Sequence, residues 1–133
     1  MRHNVFGKKL GRDIKERKSL FKNLVASLII HGKITTSVVK AKAIRGLVDK
    51  LVVKAKEGTL AARRQIAGFL QRGDEVKKLV DDIAPKFKER KSGFTRIIKT
   101  EERKGDGSPQ AVIEWVEKVE EKEKAIQKTE KNK

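Results

Sequence analysis

Residues 34–58, ITTSVVKAKAIRGLVDKLVVKAKEG, decide how the rest of the chain is read. Ala41, Ile44, Leu47, Val48, Leu51, Val52 and Ala55 recur at spacings of three and four, which lines them along one side of a helix. Lys42, Arg45, Lys50 and Lys56 fall on the opposite side. Thr36 or Ser37 offers a hydroxyl to cap the first turn, and Gly58 supplies a stop. Such a helix asks for two partners, an apolar core and something negatively charged. Taken alone it also fits an ordinary core helix with a solvated lysine face, so the remaining sequence has to decide.

Just before it, Lys33 to Thr36 is short and β-branched, which predicts a brief strand pairing with a later hairpin. Further upstream, Asp13 to His31 reads as a long helix. Asp13 is its cap or first-turn acid, Leu20, Phe21, Leu24, Val25 and Leu28 are its buried stripe, and Gly32 is its end. His31 fits a C-terminal capping cation better than a metal ligand, because no Cys or second His lies near it. Residues 1–12, MRHNVFGKKLGR, have no periodicity and too little apolar surface to fold alone. They read as a disordered basic tail or, as the placement of charge favours, as an extended basic arm that orders between phosphates, with Gly7 and Gly11 permitting close backbone approach and Phe6 and His3 available to stack on bases.

Downstream, Thr59 to Gln71 predicts a short helix with Ile66, Phe69 and Leu70 inward and Arg63 and Arg64 outward. Asp74 to Ala84 predicts another, with Val76, Leu79, Val80 and Ile83 inward and Pro85 closing it. Lys86 to Gly93, KFKERKSG, reads as a basic loop. Phe94 to Glu101 and Ala111 to Glu117 are rich in Ile, Val, Thr and Trp and flank the turn segment KGDGSP, the pattern of a β-hairpin. Ile98 with Phe94, and Ile113 with Trp115, are expected on one buried face, with Ile97, Val112 and Val116 on the other. Residues 119–133 form a charged tail with few apolar groups. The expected fold is therefore α+β. Over residues 13–118, helices pack on a small sheet made of a short strand plus the C-terminal β-hairpin, preceded by the basic N-terminal arm.

The chain has 133 residues, enough for one domain with a real core. Charged residues, at 39%, outnumber hydrophobic ones at 37%, and the net charge is +16. Self-repulsion on that scale opposes compaction, so a polyanionic partner is implied. The charge is unevenly placed, with 15 Lys or Arg against 3 Asp or Glu in residues 1–56, and 19 against 15 in residues 57–133. The anion-facing surface is expected mainly in the first half. No apolar run approaches the roughly 18 residues of a spanning helix, no signal-peptide pattern opens the sequence, and there is no Cys. A cytoplasmic protein without disulfides or thiolate metal sites is expected.

An enzyme needs a constellation, and none assembles. There are two His and no Tyr, and no phosphate loop, dinucleotide fingerprint, zinc motif or nucleophile elbow. The pairs Asp81–Asp82, Glu101–Glu102 and Glu120–Glu121 are sequence neighbours, with lysines within a few residues, that do not face each other on a helix. No catalytic residue, cofactor, metal or small-molecule substrate is expected. Phosphate contacts are. Lysine outnumbers arginine, which suits electrostatic attachment, while Arg12, Arg17, Arg63, Arg64, Arg96 and Arg103 are the candidates for shape- or base-specific contacts. A nucleoid-type or transcriptional DNA-binding protein, using the 34–58 helix in a major groove, is the alternative. A helix bordered by lysines with few Asn, Gln or Arg is poorly equipped for that reading.

Several separated motifs carry a family resemblance. Met1-Arg2-His3 and Lys9-Leu10-Gly11-Arg12 open it, followed by Asn23-Leu24, Ser27-Leu28-Ile29 and His31. Ile34-Thr35-Thr36 with Lys40-Ala41-Lys42 is the most specific match. Ala62-Arg63-Arg64, Lys78-Leu79, Gly93-Phe94-Thr95-Arg96-Ile97, Arg103 with Gly105-Asp106, and Ile113-Glu114 come in the same order. Across about residues 1–118 the chain resembles the bacterial large-subunit ribosomal protein seventeen family. It departs from that pattern at Glu16, at Lys22 and at Ser92-Gly93-Phe94, where the family usually has histidine, arginine and Gly-Gly-Tyr. The resemblance implies a structural constituent of the large ribosomal subunit. It also implies binding to large-subunit ribosomal RNA near the polypeptide exit side, beside neighbouring ribosomal proteins, with no membrane and no catalysis. The expected RNA-binding residues are Arg2, His3, Asn4, Lys8, Lys9, Arg12, Arg17, Lys18, Lys22, Lys40, Lys42, Arg45, Arg63, Arg64, Arg96 and Arg103.

Overall fold

Local capping signals set where the helices begin and end. The computed structural model describes residues 7–119. Helix α1 covers Ile14–His31; Asp13 accepts the Glu16 N–H while Glu16 reaches back to the Asp13 N–H, a complete capping box. Gly32, at φ 76°, ends it in the left-handed conformation and donates to the Leu28 carbonyl. His31 lies exposed in the last turn, where a cation complements the helix dipole. Strand β1 covers Lys33–Ser37, and Ser37 then caps α2, Val38–Glu57, which Gly58 ends. Thr59 caps α3, Leu60–Leu70. Strands β2, Thr95–Lys99, and β3, Gln110–Trp115, form the hairpin. Strand β1 pairs antiparallel with β3, as does β2, so the sheet order is β1-β3-β2.

Helix α2 is the central beam. Its buried residues Val38, Ala41, Ile44, Val48, Leu51, Val52 and Ala55 follow the helical period, and it touches α1, α3, all three strands and the turns that precede β2. The core it organises includes Val25, Leu28 and Ile29 of α1, Ile66 and Leu70 of α3, and Phe87, Phe94, Ile113 and Trp115. Burying each large side chain contributes roughly 2 kcal/mol. Trp115 also satisfies its ring N–H, donating to the Leu28 carbonyl at 3.3 Å, which ties the end of α1 to the sheet.

Three expectations need correction. The helix placed at Asp74–Ala84 is not a regular α-helix stopped by Pro85. Helix α4 covers only Gly73–Lys77, then the path widens into a π-helical turn over Lys78–Ile83 and tightens into a 3₁₀ turn over Ala84–Phe87. In α geometry the Pro85 ring would strike the carbonyl four residues back. The wider turn, in which the Ala84 N–H reaches the Leu79 carbonyl, avoids that clash. The detour carries Phe87 out of the supposed loop and into the core, 1% exposed, edge-on to Phe94 at 5.3 Å.

The second correction concerns β2. Ile97, not Ile98, faces inward, aligned with Ile113 and through it with Ile34, whereas Ile98 is 46% exposed. Phe94 lies before the strand, its N–H held by Asp49, so the alternation starts one residue later than expected. A one-residue shift exchanges the two faces of a strand. Third, the α1 stripe runs through Val25, Leu28 and Ile29, with Leu20, Phe21 and Leu24 only half-buried.

Candidate nucleic-acid interface

The cations sort by what their neighbouring acids are doing. In residues 1–56 the three acids are Asp13, Glu16 and Asp49, and each accepts a backbone N–H. Asp13 and Glu16 close the capping box, and Asp49 holds the Phe94 N–H at 3.3 Å. Among the described residues none of the three makes an ion pair. Lys8, Lys9, Lys18, Lys42 and Arg45 are exposed, with no carboxylate of the described residues in ion-pair range. Lys40 is half-buried in the first turn of α2. Arg2, His3 and Asn4 lie outside the described residues.

Other members of the expected set are partly occupied by the fold. The Arg12 N–H closes a turn on the Lys9 carbonyl, and its guanidinium donates to the Leu10 carbonyl at 2.9 Å. Leu10 and Gly11, both at positive φ (55° and 62°), form that turn, the first a strained position for leucine. The chain therefore reverses just before α1, so residues 7–12 are not simply extended. Arg17 is half-buried, with its Nε enclosed and without a hydrogen-bond partner among the described residues. Lys22 lies over the Phe69 ring, 6.0 Å from its centroid.

The second half behaves differently. Arg63 of α3 pairs with Asp81, and Arg96 pairs with Glu114, its cross-strand partner. Arg103 grips Asp106 with two nitrogens, Nε at 3.1 Å and Nη2 closer. The hydrogen bonds from Arg103, helped by the Ser108 N–H, pull the Asp106 carboxyl down to about 2, and the same pairing raises the Arg103 guanidinium. Three of the expected RNA contacts therefore already carry a carboxylate that phosphate would have to displace. Arg64 remains exposed. The Arg103 turn is joined to the start of α2 by the bond from the Val38 N–H to the Pro109 carbonyl.

One basic segment was not among the expected contacts. Lys86, Lys88, Arg90 and Lys91 surround the buried Phe87 and are all exposed. Their only signal in the sequence is the charge run itself. Among the described residues no group of acids and histidines could hold a metal ion, and no helix is long and apolar enough to cross a membrane.

A family model described as ribosomal protein L17 matches residues 20–116, from the second turn of α1 through the end of the sheet. The chain belongs to the ribosomal protein L17 family. Large ribosomal subunit protein bL17 of Thermus thermophilus is 48% identical over 118 residues, covering 88% of this chain and 100% of the relative. The protein of the same name from Wolinella succinogenes is 47% identical over 116 residues, covering 87% and 100%. That of Clostridium acetobutylicum is 46% identical over 109 residues, covering 82% and 96%. The L17 match thus takes in α2, the whole sheet and the three ion-paired arginines.

Proposed function

We propose that this protein is a structural component of the large ribosomal subunit in the cytoplasm, where it binds large-subunit ribosomal RNA through phosphate contacts beside neighbouring subunit proteins. One observation carries the reading. The three acids of the first half are all turned to backbone N–H groups, so that half presents its cations without carboxylate partners among the described residues. A phosphate surface supplies the missing countercharge, and counterion release from the RNA drives the association. The L17 relatives, each named as a protein of the large ribosomal subunit, point to the same polyanion.

In this reading residues 1–12 are the arm, residues 13–118 the RNA-binding domain and residues 119–133 a charged tail. The phosphate contacts are Arg2, His3, Asn4, Lys8, Lys9, Lys18, Lys42 and Arg45 first. Arg12, Arg17, Lys22, Lys40 and Arg64 add to them. Arg63, Arg96 and Arg103 contribute only where phosphate outcompetes their carboxylates. No bond is made or broken: α2 holds charge in place. The test is sedimentation of the full-length protein in a cell lysate at physiological ionic strength. It is expected to travel with the large subunit and to leave it as salt is raised. A protein that stays at the top of the gradient with no ribosomal particle overturns the reading.

A further inference from the structure

The Lys86–Lys91 segment carries Lys86, Lys88, Arg90 and Lys91 against one acid, Glu89, and the fold holds its shape from several sides. Phe87 anchors it from within, Phe94 closes it from beyond, and the two rings meet edge-on in the core. The Arg90 N–H closes a turn on the Phe87 carbonyl. From the last turn of α2, the Lys56 ammonium donates to the Arg90 carbonyl at 2.6 Å while lying over the Phe94 ring. A cation thus clamps a segment that is itself cationic, and like charges are gathered where folding alone does not need them. Among the described residues no carboxylate lies in ion-pair range of Lys88, Arg90 or Lys91. Lys86, Lys88 and Arg90 line one open cleft of about 630 Å³ together with Pro85, Glu89 and Glu117, so three cations face two carboxylates there.

We propose that this segment is a second phosphate-binding site for the same RNA, separate from the N-terminal cations. It rests on the ribosomal reading above. Lys56 positions the site, and Lys88, Arg90 and Lys91 meet the phosphates. The site sits at the C-terminal end of α2, about 24 Å along the helix from Lys40. The protein would therefore brace two RNA segments against one rigid helix rather than lie along a single one. The Lys88 and Lys91 ammonium groups act as point charges and the Arg90 guanidinium offers a fork that matches phosphate oxygens.

The experiment compares the full-length protein with the variant Lys88→Gln/Arg90→Gln/Lys91→Gln on naked large-subunit ribosomal RNA from the same organism. The readouts are the salt dependence of the affinity and hydroxyl-radical footprints. All three side chains are exposed, so the melting temperature should hold. The log–log salt slope is expected to become shallower by about 2, at roughly 0.7–0.9 for each phosphate no longer neutralised. One protected RNA segment should disappear while another persists. Glu89→Lys, which adds a cation to the unaltered site, should steepen the slope by a little under one. An unchanged slope and footprint in both variants overturns the second site, including the case in which an acidic protein is the true partner of the segment. A wild-type protein that does not bind this RNA overturns the ribosomal reading as well.

Discussion

The acids of the two halves of the molecule are used differently. In the first half Asp13, Glu16 and Asp49 satisfy backbone N–H groups, and the cations around them keep their charge. In the second half Asp81, Glu114 and Asp106 sit on Arg63, Arg96 and Arg103 and cancel them pairwise. A net charge counted along the sequence understates this contrast, because a carboxylate bonded to an amide does not occupy a guanidinium. It also overlooks second-half cations that have no carboxylate in ion-pair range among the described residues, Arg64 and, in the Lys86–Lys91 segment, Lys88, Arg90 and Lys91 among them. What matters for a polyanion is which cations lack a partner, not how many there are.

Both regions depend on α2, so the largest effect comes from breaking it. Ile44 is completely buried, and Ile44→Asp would place an unpaired charge in the core. That should cost about 5 kcal/mol, most of a typical domain's stability. The expected result is loss of cooperative thermal unfolding by circular dichroism. A variant that melts like the parent would disconnect the two regions from a shared core. Removing residues 1–12 takes away none of the core residues named above and subtracts four cations. Its salt slope on large-subunit ribosomal RNA should fall by about 3. An unchanged slope would make the arm a passive tail and shift the weight of binding to α1 and α2.

How much of this can be read from the chain follows from the range of each signal. The run from α1 through α2 is legible because its determinants are close together: Asp13 with Glu16, Gly32, Ser37 and Gly58. The family motifs lie on the same footing. What escapes needs contacts between distant residues. Asp49 holds the Phe94 N–H across 45 positions, just ahead of β2, and it is the pairing of β2 with β3 that sets Ile97 beside Ile113. Arg63 finds Asp81 across 18 positions, and Arg96 finds Glu114 across 18. Pro85 carries a strong local stop signal, yet the burial of Phe87 two residues later favours a widened turn over an end. Of the three ion pairs only Arg103 with Asp106, three residues apart, is open to local inspection.

That local pair gives a sharper test of the contrast. Arg103→Gln removes a cation already matched by Asp106, so the RNA salt slope should change by well under one. Asp106→Asn releases the guanidinium and should steepen the slope by up to about 0.9. Equal losses from Arg103→Gln and from Lys42→Gln would mean that an ion pair does not shield arginine from RNA, and the division between the two halves would fail.

The smallest effect is the titration of Asp106 itself. Its carboxyl lies at about 2 in the folded state, below the ordinary 3.8, first because Arg103 donates to it and then because Ser108 does. A depressed carboxylate stabilises the fold at pH values above its unfolded pKa, and that contribution disappears as pH falls through the folded value. The Arg103 turn should therefore be insensitive to pH near neutrality and loosen only between about pH 4 and pH 2. Carboxyl-carbon NMR of the full chain should place the Asp106 midpoint near the lower limit, and Arg103→Gln should move it upward, short of the ordinary value because the Ser108 N–H remains. Both groups are exposed, so the change in melting temperature should be slight. A midpoint that does not move in Arg103→Gln would mean that the guanidinium does not grip the carboxylate in solution, and Arg103 would then join the unpaired cations of the first half.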